Sequence, residues 1–262
     1  MTTYLMDNPR EGARVNQKTD HALTREQLRW AGLSAGQTVL DLGCAAGETC
    51  RIMAECVGKS GRVIGVDASE PRIRQAGQDS QLDHPIAYRV GEAKDLPVET
   101  DSVDLAWSRF LFEYLPYPPS ALEEMIRVTR PGGTVCVSDL DGNCVWHDPV
   151  EPRLKEEIDE AVAAFGRGFD PYVGRKLWRW FVDAGLEDVA IDVRPYHLIA
   201  GRIASRDAEL WRVKLQGVAE ALEARGWASE RASALASAFE AHLRDPRTFT
   251  YSTLITVRAR VT

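Results

Sequence analysis

The stretch Thr38–Thr49, TVLDLGCAAGET, constrains the fold more than any other part of the chain. It begins as a short apolar and β-branched run, and Gly43 and Gly47 then open a segment whose apolar residues recur with helical spacing. Gly58 lies where a helix C-cap glycine is expected, and a second apolar run, Arg62–Val66, follows it. Strand, turn, helix and strand make one βαβ unit, which predicts an α/β chain built on a parallel sheet.

The glycines and the acidic residues at the strand ends predict a binding crevice. Gly43 and Gly47 let the backbone turn sharply and let a ligand approach the main chain. Asp67 lies at the tip of the second strand, where a carboxylate can accept hydrogen bonds from both hydroxyls of a ribose. Asp41 would repel a pyrophosphate and favours a cationic amine. The ligand predicted for this crevice is therefore a positively charged nucleoside.

The same stretch resembles motif I of the class I S-adenosylmethionine (SAM) dependent methyltransferases, Asp/Glu-x-Gly-x-Gly-x-Gly. Ala45 replaces the middle glycine, which a dinucleotide fingerprint would also require. The later sequence DSVDLAWSRFL, followed by RPGG, resembles the second half of the same core. The resemblance is to small-molecule methyltransferases of the ubiquinone and menaquinone type and covers roughly residues 35–140. It implies SAM as cofactor and S-adenosylhomocysteine as product.

This resemblance also assigns cofactor contacts. In such enzymes the loop after the third strand is often Asp-Ala-x-x-Leu-Pro, whose acid accepts from the adenine amino group, and Glu92-Ala93 matches it with Glu for Asp. The N-terminal segment, with Tyr4 and Arg14, is expected to fold over the cofactor as a lid, a plain packing helix being the alternative. The expected cofactor-binding residues are Gln17, Asp41, Gly43, Gly47, Asp67, Ala68, Glu92, Ala93 and Ser108.

The remaining periodicity predicts an α/β fold with a Rossmann-like, seven-stranded, mostly parallel sheet and an antiparallel last strand, plus an N-terminal helical lid and a helical insertion before the last strand. Strand five is expected at Thr134–Ser138. We expect one domain over 1–262, divided into an N-terminal helical segment (1–34), a SAM-binding core (35–140), substrate-side helices and a strand (141–200), a helical cap (201–247) and the last strand (248–262).

Two capping boxes predict helix starts. Thr24 with Gln27 predicts a helix over Leu23–Leu33, and Ser120 with Glu123 predicts another after strand four.

Composition narrows the function classes. The chain has 262 residues, 44% of them hydrophobic. Its 32 Lys and Arg against 39 Asp and Glu give an acidic balance, so we expect no nucleic-acid partner. It contains no apolar stretch of membrane-spanning length and no signal-peptide pattern, which predicts a soluble protein without a membrane partner. Its five cysteines include no C-x-x-C, so we expect no metal and a reduced, cytoplasmic protein. We expect a monomer or homodimer.

The expected acceptor is a small molecule. The aromatic residues Phe110, Phe112, Trp146 and Tyr172 are expected to contact it. Methyl transfer from a sulfonium depends mainly on positioning, which can supply roughly 7–11 kcal/mol of the barrier. Acceptors that must lose a proton also need a base, for which His147 and Glu113 are the candidates, with Asp141 as a further one. A structural role is the alternative for His147.

The function predicted is methyl transfer to O, N or C of a small metabolite, in secondary metabolism. One alternative is an enzyme of the same fold that binds SAM without transferring methyl, such as a cyclase. The other is a nucleotide-dependent oxidoreductase. Tyr172 and Lys176 have the Y-x-x-x-K spacing of short-chain dehydrogenases, but Pro171 and Gly174 interrupt the helix that this motif requires.

Overall fold

The computed structural model describes residues 20–78 and 86–262. The predicted lid residues Tyr4, Arg14 and Gln17 lie outside these ranges. The helices are α1 (His21–Trp30), α2 (Glu48–Val57), α3 (Glu70–Gln78), α4 (Pro118–Val128), α5 (Pro152–Phe165), α6 (Gly174–Asp183), α7 (Ser205–Glu223) and α8 (Ser229–Arg244). The strands are β1 (Thr38–Leu42), β2 (Arg62–Asp67), β3 (Ile86–Val90), β4 (Val103–Arg109), β5 (Thr129–Asp148), β6 (Glu187–Ala200) and β7 (Phe249–Arg260).

The seven strands of the described chain form one sheet in the order β3-β2-β1-β4-β5-β7-β6. Strands β1 to β5 pair in parallel, and β7 runs antiparallel between β5 and β6. The predicted seven-stranded, mostly parallel sheet with an antiparallel last strand is confirmed. Strand order reverses between β1 and β4, so the crevice beyond the carboxyl ends of β1, β2 and β4 is the expected ligand position.

Helices cover both faces of the sheet because the side chains of β1 alternate between them. Leu40 and Leu42 pack in a cluster with residues of α4 and α6, among them Met125 and Phe181. Val39 packs on the opposite face with residues of α1 and α2. Each fully buried aliphatic or aromatic side chain contributes roughly 1.5–3 kcal/mol relative to an exposed one. The cofactor crevice is thus carried by a sheet that is buried on both sides.

Helix α1 begins earlier than its sequence predicts, and the capping box at Thr24 and Gln27 is wrong. Asp20 is the N-cap, and its Oδ1 accepts from the Leu23 amide at 3.0 Å. Thr24 and Gln27 are buried inside the helix instead. Thr24 Oγ1 accepts from Arg109 at 2.9 Å, so the residues taken for a cap serve contacts with the sheet.

The capping box predicted at Ser120 and Glu123 is also wrong. Helix α4 starts at Pro118, after Tyr117, because a proline fits the first turn of a helix. Ser120 lies inside the helix, and its hydroxyl donates to the Tyr117 carbonyl at 2.9 Å.

Strand β5 is 20 residues long, far longer than the predicted Thr134–Ser138. It is extended because β7 pairs with it as far as Asp148, with a register shift between Asp141 and Trp146. Asp141, Trp146 and His147 therefore lie on this strand, beyond its predicted end, and sheet pairing fixes their backbone positions.

The predicted helical insertion is present between β6 and β7. Its helices α7 and α8 pack with α5 around a hydrophobic cluster separate from those of the sheet, which we call the cap cluster; it includes Ile158, Leu222 and Phe239. The Gly201 amide donates to the Thr248 carbonyl at 2.8 Å, which closes the insertion at its base. Among the helices in the described ranges, none combines the length and the apolarity needed to cross a membrane.

Candidate functional site

The glycine turn after β1 has the backbone conformation that its sequence implies. Gly43, Ala45 and Gly47 all adopt positive φ, at 80°, 47° and 82°. Ala45 therefore takes the left-handed conformation that the absent glycine would have taken, and its amide is held by Asp67 Oδ2 at 2.9 Å. Gly47 is the N-cap of α2 and offers no side chain to the amides of the first turn, so those amides face the crevice side of the helix end.

Packing as well as φ requires glycine in this turn. A Cβ on Gly47 would collide with the phenol of Tyr88, and a Cβ on Gly43 would lie 3.1 Å from Leu111 Cδ2. Tyr88 on β3 and Leu111 after β4 therefore enclose the turn from two sides.

Asp67, at the end of β2, is the carboxylate best placed for a ribose. Its Oδ1 accepts from the Ser69 amide and its Oδ2 from the Ala45 amide, each at 2.9 Å. Each carboxylate oxygen can accept more than one hydrogen bond, so both keep capacity for a ligand hydroxyl. The two backbone contacts fix the carboxylate, and with it the distance between β2 and the glycine turn.

The loop expected to contact adenine lies beside Asp67. The Gly91 amide donates to the Asp67 carbonyl at 3.1 Å, which brings Glu92 and Ala93 to the same edge of the crevice. The side chains of Ala68 and Glu92 are exposed, and Ala93 is half-buried.

Asp41 lies at the end of β1 with only 3% of its surface exposed. Burial raises its pKa to about 7; a hydrogen bond from Cys50 Sγ to Oδ2, 3.2 Å long, opposes the rise, and the nearby Asp67 adds to it. The carboxyl group is thus close to half-ionised at neutral pH. A cationic group bound beside it would favour the charged form.

Arg109, at the end of β4, was missed by the sequence analysis. Its guanidinium acts electrostatically on Asp41 and lowers the pKa of that carboxyl, while burial lowers its own pKa. Its Nη1 donates to Thr24, and its Nε has no hydrogen-bond acceptor among the described residues. Asp41 and Arg109 give this end of the crevice one negative and one positive charge. That pair matches the ammonium and carboxylate of an amino acid.

Ser108 of β4 pairs with Leu42 of β1, and its side chain already makes a hydrogen bond within the protein. Its hydroxyl is fully buried and donates to the Leu42 carbonyl at 3.0 Å. The structure therefore gives Ser108 no exposed side-chain group for the cofactor contact predicted for it.

His147 is held by the protein at both ring nitrogens. Nδ1 lies 2.8 Å from Thr250 Oγ1 and Nε2 3.1 Å from the Cys144 carbonyl. Burial lowers its pKa to about 4. The ring also packs edge-on against Phe239 and His242 of α8, so this geometry favours the structural role over that of a base.

Glu113 lies in a buried polar network at the carboxyl end of β4. Its Oε2 accepts from Asn143 Nδ2 at 2.7 Å, and its amide donates to Asp139 Oδ2 at 3.2 Å. Burial raises the pKa of Asp139, and the charge of Glu113 raises it further. Lys214 Nζ donates to the other end of the Asn143 amide at 2.9 Å. Sequence reasoning missed Asn143 and Lys214, although a lysine on the apolar stripe of α7 was a visible signal.

The four aromatic residues predicted to contact the acceptor do not form one pocket. Phe112 is fully buried in the sheet core. Phe110 contacts Tyr196, with 5.3 Å between ring centroids. Trp146 and Tyr172 lie instead on either side of Arg175, whose guanidinium carbon is 5.7 Å and 4.8 Å from their ring centroids.

Arg175 also engages Asp141, the further candidate base. Its Nε and Nη2 donate to the two carboxylate oxygens at 2.7 and 2.8 Å. Both carboxylate oxygens of Asp141 are thus engaged by one guanidinium in a bidentate pair.

The Y-x-x-x-K pair has no dehydrogenase geometry. Tyr172 precedes α6 and stacks against Arg175, whereas Lys176 pairs with Asp170. Phenol and ammonium are therefore engaged by different partners.

Within residues 20–78 and 86–262, no group of three or more His, Cys, Asp or Glu side chains is placed to hold a metal ion. All five cysteines are free thiols.

Comparison with known proteins matches residues 40–137 to the family described as "Methyltransferase domain". An arsenite methyltransferase of Halobacterium salinarum is 35% identical over 124 residues, which are 47% of this chain and 32% of that protein. A 2-phytyl-1,4-naphtoquinone methyltransferase of Synechococcus elongatus is 31% identical over 135 residues, 50% of this chain and 55% of that protein. The chain thus spans about a third to just over half of these relatives.

Among solved structures, the [4+2]-cyclase SpnF superposes with a TM-score of 0.58 at 19% identity, covering 92% of this chain and 81% of that one. At this identity the likeness shows the fold alone.

Proposed function

We propose that this protein is a cytoplasmic enzyme that transfers a methyl group from SAM to O, N or C of a small metabolite in secondary metabolism, since its residues 40–137 match the family described as "Methyltransferase domain". The observation that carries the proposal is the convergence of Asp41, Asp67 and the Gly43–Gly47 turn at neighbouring strand ends.

The residues of the crevice fit the parts of this cofactor. Asp67 would accept from the two ribose hydroxyls, and Glu92 from the adenine amino group. Asp41 would pair with the ammonium of the methionine moiety and Arg109 with its carboxylate. The Arg109 assignment rests on the buried Nε that lacks an acceptor in the described chain.

When bound, SAM supplies a methyl group on a positively charged sulfur. An acceptor atom would give its electron pair to the methyl carbon while the carbon–sulfur bond breaks, and the electron pair of the broken bond would go to the sulfur, which leaves as a neutral thioether. The contribution of the protein is to hold the reactants in line, which is worth roughly 7–11 kcal/mol when their geometry is fixed. Asp67 supports this by anchoring both the cofactor and the glycine turn.

An acceptor that must lose a proton needs a base. Glu113 is the better placed of the two predicted catalytic residues, because it ends a polar network at the carboxyl side of the sheet. His147 has both nitrogens engaged and a pKa lowered to about 4, so it stays a prediction that its surroundings do not favour.

The two relatives act on different acceptors, and the cysteines help to choose between them. Arsenic(III), like other soft ions, prefers several thiolate ligands together. The described residues hold no cluster of three potential ligands, and this supports an organic acceptor.

A second candidate function is cyclisation without methyl transfer, because the cyclase SpnF has the same fold. Incubation with methyl-labelled SAM and candidate acceptors separates the two. Transfer of label supports the methyltransferase, whereas product formation without label supports the cyclase.

The test of the cofactor site is Asp67→Ala. We expect its binding free energy for S-adenosylhomocysteine, measured by titration calorimetry, to become about 3 kcal/mol less favourable, because the hydrogen bonds to two ribose hydroxyls are lost and the glycine turn loses its contact with Asp67. Glu99→Ala removes an exposed acid outside the crevice and should bind like the wild type. Equal affinities in all three proteins would refute the ribose assignment.

A further inference from the structure

A cavity lies among α5, α7 and α8, inside the cap cluster. Apolar side chains such as Ile158, Phe165, Leu235 and Phe239 line most of it. Small-molecule pockets in proteins have mainly apolar walls with a few placed polar groups. The lining therefore suits the apolar part of an organic ligand.

Lys214 lines the same cavity and brings a positive charge to it. It is 94% buried, with 6% of its surface exposed, because it lies on the apolar face of α7 between Trp211 and Val218. A charged group removed from water in this way is costly unless it is paired. No carboxylate in the described chain forms an ion pair with Lys214, since its polar contact is the neutral amide of Asn143.

The hydrogen-bond capacity of Lys214 is only partly used. An ammonium has three donors. One donates to Asn143 Oδ1 at 2.9 Å, and the Trp211 ring lies on another side, with its centroid 4.7 Å from Nζ. At least one donor is left for a ligand in the cavity.

Asn143 is fixed in the orientation that Lys214 needs. Its Nδ2 donates to the Glu113 carboxylate at 2.7 Å, so its oxygen must face the ammonium. Glu113 is thus held one amide away from Lys214. The Glu113 carboxylate therefore orients the Asn143 amide, but it does not pair directly with the ammonium of Lys214.

The cavity is close to the cofactor crevice. Tyr114 lines the cavity, and Leu111, three residues earlier, packs against Gly43 of the glycine turn. Three residues of chain span at most about 11 Å. The cavity wall and the glycine turn are therefore joined by a short segment of chain.

We propose that this cavity is the acceptor site and that it selects an amphiphilic molecule, whose apolar body lies among α5, α7 and α8 and whose anionic oxygen pairs with Lys214. The anionic oxygen is a carboxylate or an ionised phenol or enol. This inference rests on the proposed methyl transfer for its biological role. The binding site itself is testable without it.

The test compares two probes with the same apolar body, naphthalene-2-carboxylate and naphthalene-2-methanol, by equilibrium dialysis at pH 7.5. We expect the wild type to bind the carboxylate at least about tenfold more tightly, because a charge-assisted hydrogen bond is worth a factor of roughly ten to a hundred. Lys214→Met should abolish this preference by weakening the carboxylate alone. Methionine keeps the apolar stem, so the alcohol should bind as before.

Two further variants keep the test decisive. Lys155→Met removes an exposed lysine of α5 that pairs with Asp159, and it should change neither affinity. Ala236→Leu adds bulk to the cavity wall and should weaken both probes together while the circular dichroism spectrum stays native.

Equal binding of the two probes to the wild type, a preference that survives Lys214→Met, or no carboxylate binding below about 1 mM would each overturn the inference. S-adenosylhomocysteine affinity, measured in the same proteins, reports separately on the cofactor site. If Lys214→Met loses the carboxylate preference but binds S-adenosylhomocysteine as the wild type does, the effect lies in the cavity and not in the cofactor site.

Discussion

Asp41 and Arg109 interact electrostatically near the point where the strand order of the sheet reverses, and burial disfavours the charged form of both. For Asp41 the consequence is a pKa of about 7, well above the ordinary value of 3.8. Because the folded protein holds this proton more tightly than the unfolded chain, Asp41 favours folding as pH falls from 7 towards 4. Binding of a cation has the opposite preference, since it requires the ionised carboxylate.

SAM affinity should therefore depend on pH through Asp41. Between pH 7.5 and pH 6 the ionised fraction falls close to tenfold for a pKa of about 7, and the dissociation constant should rise by about the same factor. Asp41→Asn should bind more weakly but lose this dependence. Calorimetry on the wild type and Asp41→Asn at both pH values measures this difference. Any titration of the ligand itself affects the two proteins equally and cancels in the comparison. A wild-type affinity that is flat over this range would contradict the assignment.

At the residue scale, the sequence predicts what a local motif encodes. Gly43 and Gly47 are recognisable because a sharp turn requires positive φ at both, and Asp41 and Asp67 because each lies at a strand end of the same βαβ unit. Arg109 was missed because its significance comes from its proximity to Asp41 on another strand.

Asn143 and Lys214 were missed for the same reason, since they meet across a sequence separation of 71 residues. A local pattern cannot show which distant side chain completes a network.

At the element scale, β5 is the strand whose length departs furthest from its prediction. Pairing with β7 extends the strand beyond its predicted end at Ser138, and the register places His147 opposite Thr250. Sequence alternation cannot predict this, because the partner strand lies more than a hundred residues away. The position of His147 is therefore a property of the sheet.

Acid stability should reflect this position. A pKa of about 4 in the folded protein, below the ordinary 6.5, means that the unfolded chain takes up the proton first. The contribution of His147 to stability is complete above pH 6.5 and is lost as pH falls towards 4. We expect a loss of up to about 2 kcal/mol between pH 7.5 and pH 5.

His147→Gln should remove that part of the pH dependence in urea unfolding experiments. Equal losses of stability in the variant and the wild type over this range would contradict a lowered pKa of His147 in the folded protein.

The failed capping boxes belong to the same scale. Ser/Thr-x-x-Glu/Gln identifies a helix start only when no better start precedes it. Asp20 and Pro118 both lie a few residues upstream and set the true starts. Thr24 and Gln27 are then free to contact the sheet.

At the scale of the whole molecule, fold class was predictable because alternating strand and helix patterns restrict the topology to a few arrangements. The packing of the insertion was not, since amphipathic periodicity shows that a helix has a buried face but not what covers it. In the structure the cap cluster is separate from the two clusters that flank the sheet.

This separation predicts that the two regions lose stability independently. Leu222→Ala removes a fully buried side chain of the cap cluster, and Leu40→Ala one of the sheet core. Each should cost about 2–5 kcal/mol. Hydrogen exchange should show Leu222→Ala opening α7 and α8 while S-adenosylhomocysteine affinity stays within about twofold, whereas Leu40→Ala should weaken that affinity. Loss of cofactor binding in Leu222→Ala would show that the clusters are coupled.

The hydrogen bond from Gly201 to Thr248 has a consequence for the diversification of such proteins. Both ends of the insertion meet at a single point between adjacent strands, so a different pair of helices with the same end spacing can be transplanted there without moving the sheet. Such a replacement would change the helices of the insertion and leave the sheet and the glycine turn as they are.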